Sequence, residues 1–337
     1  MPPYSPATGE TNMKRAQLAA LLVTALTVGM TGGAWAAIPV IKVGNGTAAS
    51  CTEAALRAAV ANATVGGGII RFKCGSAAVT ILISEPLVIP DQTTIDGDDL
   101  VTLQALPINN AFLSNLLEVA PGSTVVLKSL TLRLGWQVVF NQGDLTVRQS
   151  AVAGSVIHNL TNAFGGILTV IDTAICCEVS DISGGGIANS GTLVVRRSTF
   201  SDSYGGGIHN VGTASIDGST FTRNRYEHGP GGAIENFGTM TISDSTFSDN
   251  VALGRGGAID NGGTLTVRRS TFTGNNGQRG GGISNTGTLT VIDSEITGNT
   301  GRLEGGGIYT CCGGTTTLKR TSVTGNIPDD LFTEPLP

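Results

Sequence analysis

Between Gly231 and Asn250, apolar residues alternate with small or polar ones in three short bursts divided by turn residues. The bursts are Gly231-Gly232-Ala233-Ile234-Glu235-Asn236, Gly238-Thr239-Met240-Thr241-Ile242 and Ser245-Thr246-Phe247-Ser248-Asp249-Asn250. A period of two within each burst predicts a β-strand with one face turned to a core. The middle burst recurs with a glycine at its head: Gly191, Gly238, Gly263 and Gly287 open the clear copies, and Gly166, Gly212 and Gly314 the degenerate ones. Steps between successive glycines are 25, 21, 26, 25, 24 and 27 residues. Three strands per repeat at this period predict an all-β solenoid, a parallel β-helix of about ten three-strand coils.

Stacking the coils aligns Phe200, Phe221, Phe247 and Phe272 in one inward column, which Ile296 and Val323 continue. Ile187, Ile208, Ile234, Ile259, Ile283 and Ile308 form a second. Two asparagine columns mark the bends: Asn189, Asn210, Asn236, Asn261 and Asn285, then Asn224, Asn250, Asn275, Asn299 and Asn326. An inward Asn at a bend can satisfy backbone groups that the turn leaves unpaired, and a residue needed in every coil is structural rather than catalytic. Blurred earlier copies run back through Leu145-Thr146-Val147 and Val125-Val126-Leu127 to Thr80–Ile83. Ser50-Cys51-Thr52-Glu53 reads as a capping box, and Leu56, Ala59, Val60 and Ala63 follow at helical spacing. A short amphipathic helix over about 51–63 is therefore expected to cap the first coil.

The leading segment predicts export. Lys14-Arg15 precede an apolar run from Ala16 to Met30, and Ala34-Trp35-Ala36 offers a small-x-small cleavage site before Ala37. Met13 is an alternative start to Met1. The expected organisation is a leader at 1–36, an N-terminal region with the capping helix at 37–78, the β-helix at 79–327 and a tail at 328–337. No second long apolar span follows, so no integral membrane span is expected in the mature chain. A net charge of -5 without a Lys/Arg cluster argues against nucleic acid and against an anionic membrane as partners.

Six cysteines in an exported chain favour disulfides. Cys51 and Cys74 flank the helix and first strand as a staple, whereas Cys176-Cys177 and Cys311-Cys312 are neighbours in coils too far apart to bridge one another. A bond within each pair, or contact with another chain, is left for them. At the turn after the middle strand, Asp172 stands beside Arg197, and Asp244, Arg269, Asp293 and Arg320 follow as an alternating ladder.

Catalytic signals are sparse. No clean carboxylate-plus-base motif appears, no histidine has metal-ligand spacing, and no cofactor or metal is expected. Asp96-Gly97-Asp98-Asp99 is the densest acidic run, and turn chemistry accounts for it without calcium. The strongest candidate site is the column just before the bend asparagines: Ala188, His209, Glu235, Asp260, Ser284 and Tyr309. His209, Glu235 and Asp260 are the catalytic candidates; Glu235, Asp260, Tyr226 and Tyr309 are the ligand-binding ones. His209, Glu235 and Asp260 should project outward because the preceding Ile points in, with Arg225-Tyr226-Glu227-His228 walling a groove and supplying a stacking aromatic. Thr-x-Thr ranks such as Thr239/Thr241 and Thr264/Thr266 also admit ice binding, although Thr is simply a good strand former.

These repeats resemble the right-handed parallel β-helix proteins of the pectin-lyase-like group. Gly231-Gly232-Ala233-Ile234 and Gly256-Gly257-Ala258-Ile259 resemble the GGAI motif of the chlamydial polymorphic outer-membrane proteins, and Phe221…Asn224, Phe247…Asn250 and Phe272…Asn275 resemble their FxxN motif. Cys51 to Ala59 looks like the cap that opens many secreted bacterial β-helices. The resemblance implies a right-handed coil and surface display with adhesion; these 337 residues contain no segment expected to form the membrane barrel of the polymorphic family. The expected function is a secreted or surface-exposed non-catalytic β-helix acting by adhesion, cell-envelope structure or glycan binding. Its partners would be extracellular or cell-wall polysaccharide, or a host or neighbouring cell surface. The alternative is a polysaccharide lyase or glycoside hydrolase of the same group.

Overall fold

A computed structural model describes residues 38–106, 114–154, 158–177 and 185–334. The expected leader lies outside the described residues.

The coil from Ile234 shows how the repeat folds. Its three bursts become strands Ile234–Asn236, Thr239–Ser243 and Thr246–Ser248. Each pairs in parallel, in register, with its counterpart in the next coil: Ile234 with Ile259, Thr239 with Thr264, Phe247 with Phe272. First strands build an 11-stranded sheet, so the described residues form eleven turns, one more than expected. Middle and third strands do not form separate sheets. Thr93–Ala105 and Thr124–Arg133 run through both positions and join them into one 21-stranded sheet.

The core is columnar. Phe200, Phe221, Phe247 and Phe272 are fully buried and stack with ring centroids 4.6, 4.8 and 4.6 Å apart. Both asparagine columns are hydrogen-bonded chains. Nδ2 of Asn189, Asn210, Asn236 and Asn261 each donates to Oδ1 of the next asparagine at 2.7–2.8 Å. Asn224, Asn250, Asn275 and Asn299 do the same toward Asn326 at 2.8–2.9 Å. A serine ladder accompanies them: the backbone N–H of Ser198, Ser219 and Ser245 each donates to the next coil's Ser Oγ at 3.1–3.2 Å. Buried turn amides are thereby satisfied at these corners.

Corner residues take the left-handed conformation, and charges occupy many of them. Arg197–Asp172, Arg269–Asp244 and Arg320–Asp293 are ion pairs at φ between 46° and 51°, as the alternating ladder requires. Gly218 interrupts the run between Arg197 and Asp244. A second corner, which the repeat alignment did not single out, carries Arg223 on Asp202 at 2.8 Å. These contacts offset part of the cost of holding a side chain at positive φ.

At the N-terminus the helix spans Glu53–Ala63 and buries Leu56, Ala59, Val60 and Ala63, as its spacing requires. The cap differs from expectation. Thr52, not Ser50, is the N-cap, its Oγ1 accepting from Ala55 N at 3.2 Å. Ser50 Oγ instead accepts from Asn45 N at 2.9 Å, and Glu53 reaches away to Ser84 N at 3.0 Å, tying the helix to a coil. Strand Val40–Val43, not foreseen, extends the large sheet beneath it by pairing with Gly68–Phe72. Cys51 and Cys74 are joined by a disulfide with Cα atoms 5.7 Å apart. Replacing both by serine should lower stability by about 3 kcal/mol, because the bond closes a loop in the unfolded chain. Urea unfolding of the variant checks this, and an unchanged midpoint would contradict it.

Candidate functional site

Register places His209, Glu235, Asp260, Ser284 and Tyr309 side by side in adjacent coils, as aligned from sequence. Their surroundings differ from the expected open groove. They do face away from the inward Ile column, yet Glu235, Asp260, Ser284 and Tyr309 are buried, at 8, 3, 0 and 2 % exposure. Tight glycine turns lie directly against this column: Gly231, Gly256, Gly280 and Gly305 pack on the backbone at Ile234–Glu235, Ile259–Asp260, Ile283–Ser284 and Ile308–Tyr309. A fourth, narrow sheet begins in the same coils. Arg225–Tyr226, Val251–Ala252, Asn276–Arg279 and Thr300–Glu304 form four parallel strands in the later coils. Before it begins, Ala188 and His209 on the same column are half-buried; from the coil where it starts, the column is closed.

Of the segment Arg225-Tyr226-Glu227-His228, Arg225–Tyr226 is the first strand of this fourth sheet. Tyr226 is half-buried and bridges Gly205, and Arg225 pairs with Glu227 at 2.5 Å. His209 Nδ1 lies 2.8 Å from Glu235 Oε2. Asp260 Oδ1 and Ser284 Oγ are buried with no partner in hydrogen-bonding geometry. Burial pushes the Asp260 carboxyl up and Glu235 adds to this, while Arg255 pulls it partly back. The Tyr309 hydroxyl donates to Glu334 Oε2 at 2.9 Å, its ring stacks on Phe332 at 5.7 Å, and burial foremost raises its phenol.

Asp260 carries a pH signature. Its folded-state affinity for the proton exceeds the unfolded one, so stability falls as pH rises from the unfolded carboxyl range through the folded value. Asp260→Asn should therefore melt higher than the parent at neutral pH, and the two should converge below about pH 4, where both forms of the parent are protonated. Thermal melts across that range test it. A constant offset at all pH values would show that charge is not the cause.

Elsewhere, the acidic run offers no free cluster. Asp96 is buried and engaged by Lys128 at 3.2 Å and Arg71 at 3.9 Å, beside a small cleft of about 170 Å³. Thr ranks are in register on the middle strands, but Thr and Ser also line the outward positions of the third strands, Thr220, Thr246 and Thr271 among them. Threonine on both faces reflects strand preference rather than one specialised plane. Cys176 and Cys177 form a disulfide with each other, whereas Cys311 and Cys312 are free thiols.

One surface feature was missed from sequence. Phe164 is 91 % exposed and Val211 49 %, and the small Ser190 between their coils leaves an open groove of about 640 Å³. Its floor is the backbone of Gly191 and Gly212, and hydroxyls of Ser190, Thr192 and Thr213 line it. One coil further on stands exposed Phe237, whose ring meets His209 edge-on at 5.8 Å. All three apolar residues occupy the turn after the bend asparagine, where length varies between coils; that variation was the available signal.

Residues 139–301 match the family model described as right handed beta helix region. With the parallel coil topology, this makes the chain a right-handed parallel β-helix protein. Among solved structures it is similar to ORF18 of Geobacillus virus E2, with a TM-score of 0.56, 13 % identity and coverage of 85 % of this chain and 62 % of that one. The chain therefore spans less than two thirds of that protein's length. It is also similar to PfbA, a surface adhesin of Streptococcus pneumoniae, with a TM-score of 0.49, 11 % identity and coverage of 88 and 92 %. No curated protein sequence matches. Among the described residues no helix is long and apolar enough to cross a membrane.

Proposed function

We propose that this chain is an exported, surface-acting β-helix, cleaved before Ala37, that binds extracellular or cell-wall polysaccharide without turning it over. The groove at Phe164 and Val211, extended by Phe237, carries this reading. A phenylalanine exposed on a rigid turn is held there at a solvation cost, and a row of apolar groups over hydroxyls suits the mixed faces of a sugar. In-register coils put Phe164 and Phe237 three steps of about 4.8 Å apart, roughly 14 Å, so a chain laid along the coils meets both. The alternative, a lyase or glycosidase acting through Glu235 and Asp260, is less well supported because a polymer cannot reach carboxylates that are only 8 and 3 % exposed. Adhesion to a host or neighbouring cell would use the same surface through its glycans.

A glycan array read together with an absorbance assay for unsaturated uronate tests the proposal. The expected result is binding without product, with Phe164→Ala and Phe237→Ala each weakening binding on the order of tenfold at unchanged melting temperature. Product release, or binding indifferent to both substitutions, would overturn it.

A further inference from the structure

We infer that Cys311, Cys312 and Glu334 form a site for a soft divalent cation such as zinc or cadmium. This inference is independent of the polysaccharide reading. In neighbouring coils a single residue, Phe237, Gly262 or Thr286, links the bend asparagine to the next glycine; after Thr310 the link is Cys311-Cys312-Gly313. The longer turn carries two sulfurs 2.6 Å apart, Cys311 buried and Cys312 exposed. The third group arrives from 23 residues away. Strand Leu331–Thr333 pairs with Ile308–Thr310 in register, and Glu334 N donates to Thr310 O at 2.8 Å, which sets Glu334 beside Cys311. One atom from each of the three side chains lies within 4.8 Å of the others.

The surroundings suit a bound cation. Tyr309 fixes Glu334 through Oε2 at 2.9 Å, the outer hydrogen bond that orients a ligating carboxylate and leaves its second oxygen for the ion. A divalent ion with two thiolates and one carboxylate carries one net negative charge, and Arg255 Nη1, 3.8 Å from Cys311 Sγ, balances it. Two sulfurs and one oxygen select a borderline-soft ion over calcium or magnesium, which take oxygen ligands. Metal–sulfur bonds of about 2.3 Å in tetrahedral geometry place the sulfurs about 3.8 Å apart, a separation two unbonded thiols on adjacent residues can hold. Both thiols lose their protons to solvent as the ion enters, and water fills the fourth position.

Cadmium titration of the full chain, with Cys176 and Cys177 replaced by serine and Cys311 and Cys312 reduced, tests the site. One ion per chain should raise a sulfur-to-metal charge-transfer band in the ultraviolet. Cys312→Ser should remove most of that band, and Glu334→Gln should weaken binding by about tenfold or more while leaving the band. Tyr309→Phe should weaken it about 10–100-fold. Absence of the band while two thiols react with a thiol reagent would overturn the inference, as would a band indifferent to Cys312→Ser. Finding Cys311 bonded to Cys312 in peptide maps of the unreduced exported protein would also overturn it.

Discussion

Phe247→Ala is expected to lower the unfolding free energy by about 3–5 kcal/mol. Phe247 lies between Phe221 and Phe272 with rings stacked within 4° of parallel, and no part of it meets solvent. Losing the ring removes both contacts and leaves a cavity. The neighbours cannot close it, because Phe221, Phe247 and Phe272 are fixed at the strand spacing by in-register backbone pairing. Phe247→Leu should lose under about 1.5 kcal/mol, since a branched aliphatic of similar volume already serves at Ile296 in the same column. Urea unfolding followed by circular dichroism measures both. A loss below about 1 kcal/mol for the alanine variant would mean that the coils can collapse around the gap.

That column is legible in the sequence because one coil predicts the next. A residue type that recurs at the repeat period must occupy the same place in every coil, so the Phe, Ile and Asn columns follow from alignment alone. Cys51 and Cys74 are legible too, since they bracket a helix with clear apolar spacing. The fourth sheet is not. Its first two strands, Arg225–Tyr226 and Val251–Ala252, have two residues each and no alternation to detect. The burial of the acidic column is hidden as well: alignment brings Glu235 and Asp260 together and gives them the correct outward parity, but parity does not reveal what lies over a side chain. The cysteine and glutamate cluster is out of reach for another reason. Nothing local links Cys311 to Glu334; only the register of the last strand does.

Asn236→Ala should be comparably damaging by a different route, at about 2–6 kcal/mol. Asn236 is fully buried, accepts from Asn210 Nδ2 at 2.8 Å and donates to Asn261 Oδ1 at 2.8 Å. Alanine strands a donor on one side and an acceptor on the other, and each buried unsatisfied group costs about 1–3 kcal/mol. Asn236→Asp separates hydrogen bonding from volume. An aspartate still accepts from Asn210 but, when ionised, presents an acceptor to the acceptor Oδ1 of Asn261. It can complete the chain only as the protonated acid, so its folded-state carboxyl must be raised above the unfolded value of about 3.9. Stability of that variant should then approach the parent's at low pH and be lost as pH rises through the carboxyl range. Melting temperatures of parent and variant between acid and neutral pH decide the matter. An aspartate variant as stable as the parent at neutral pH would show that the asparagine column is filled for shape and not for its hydrogen bonds.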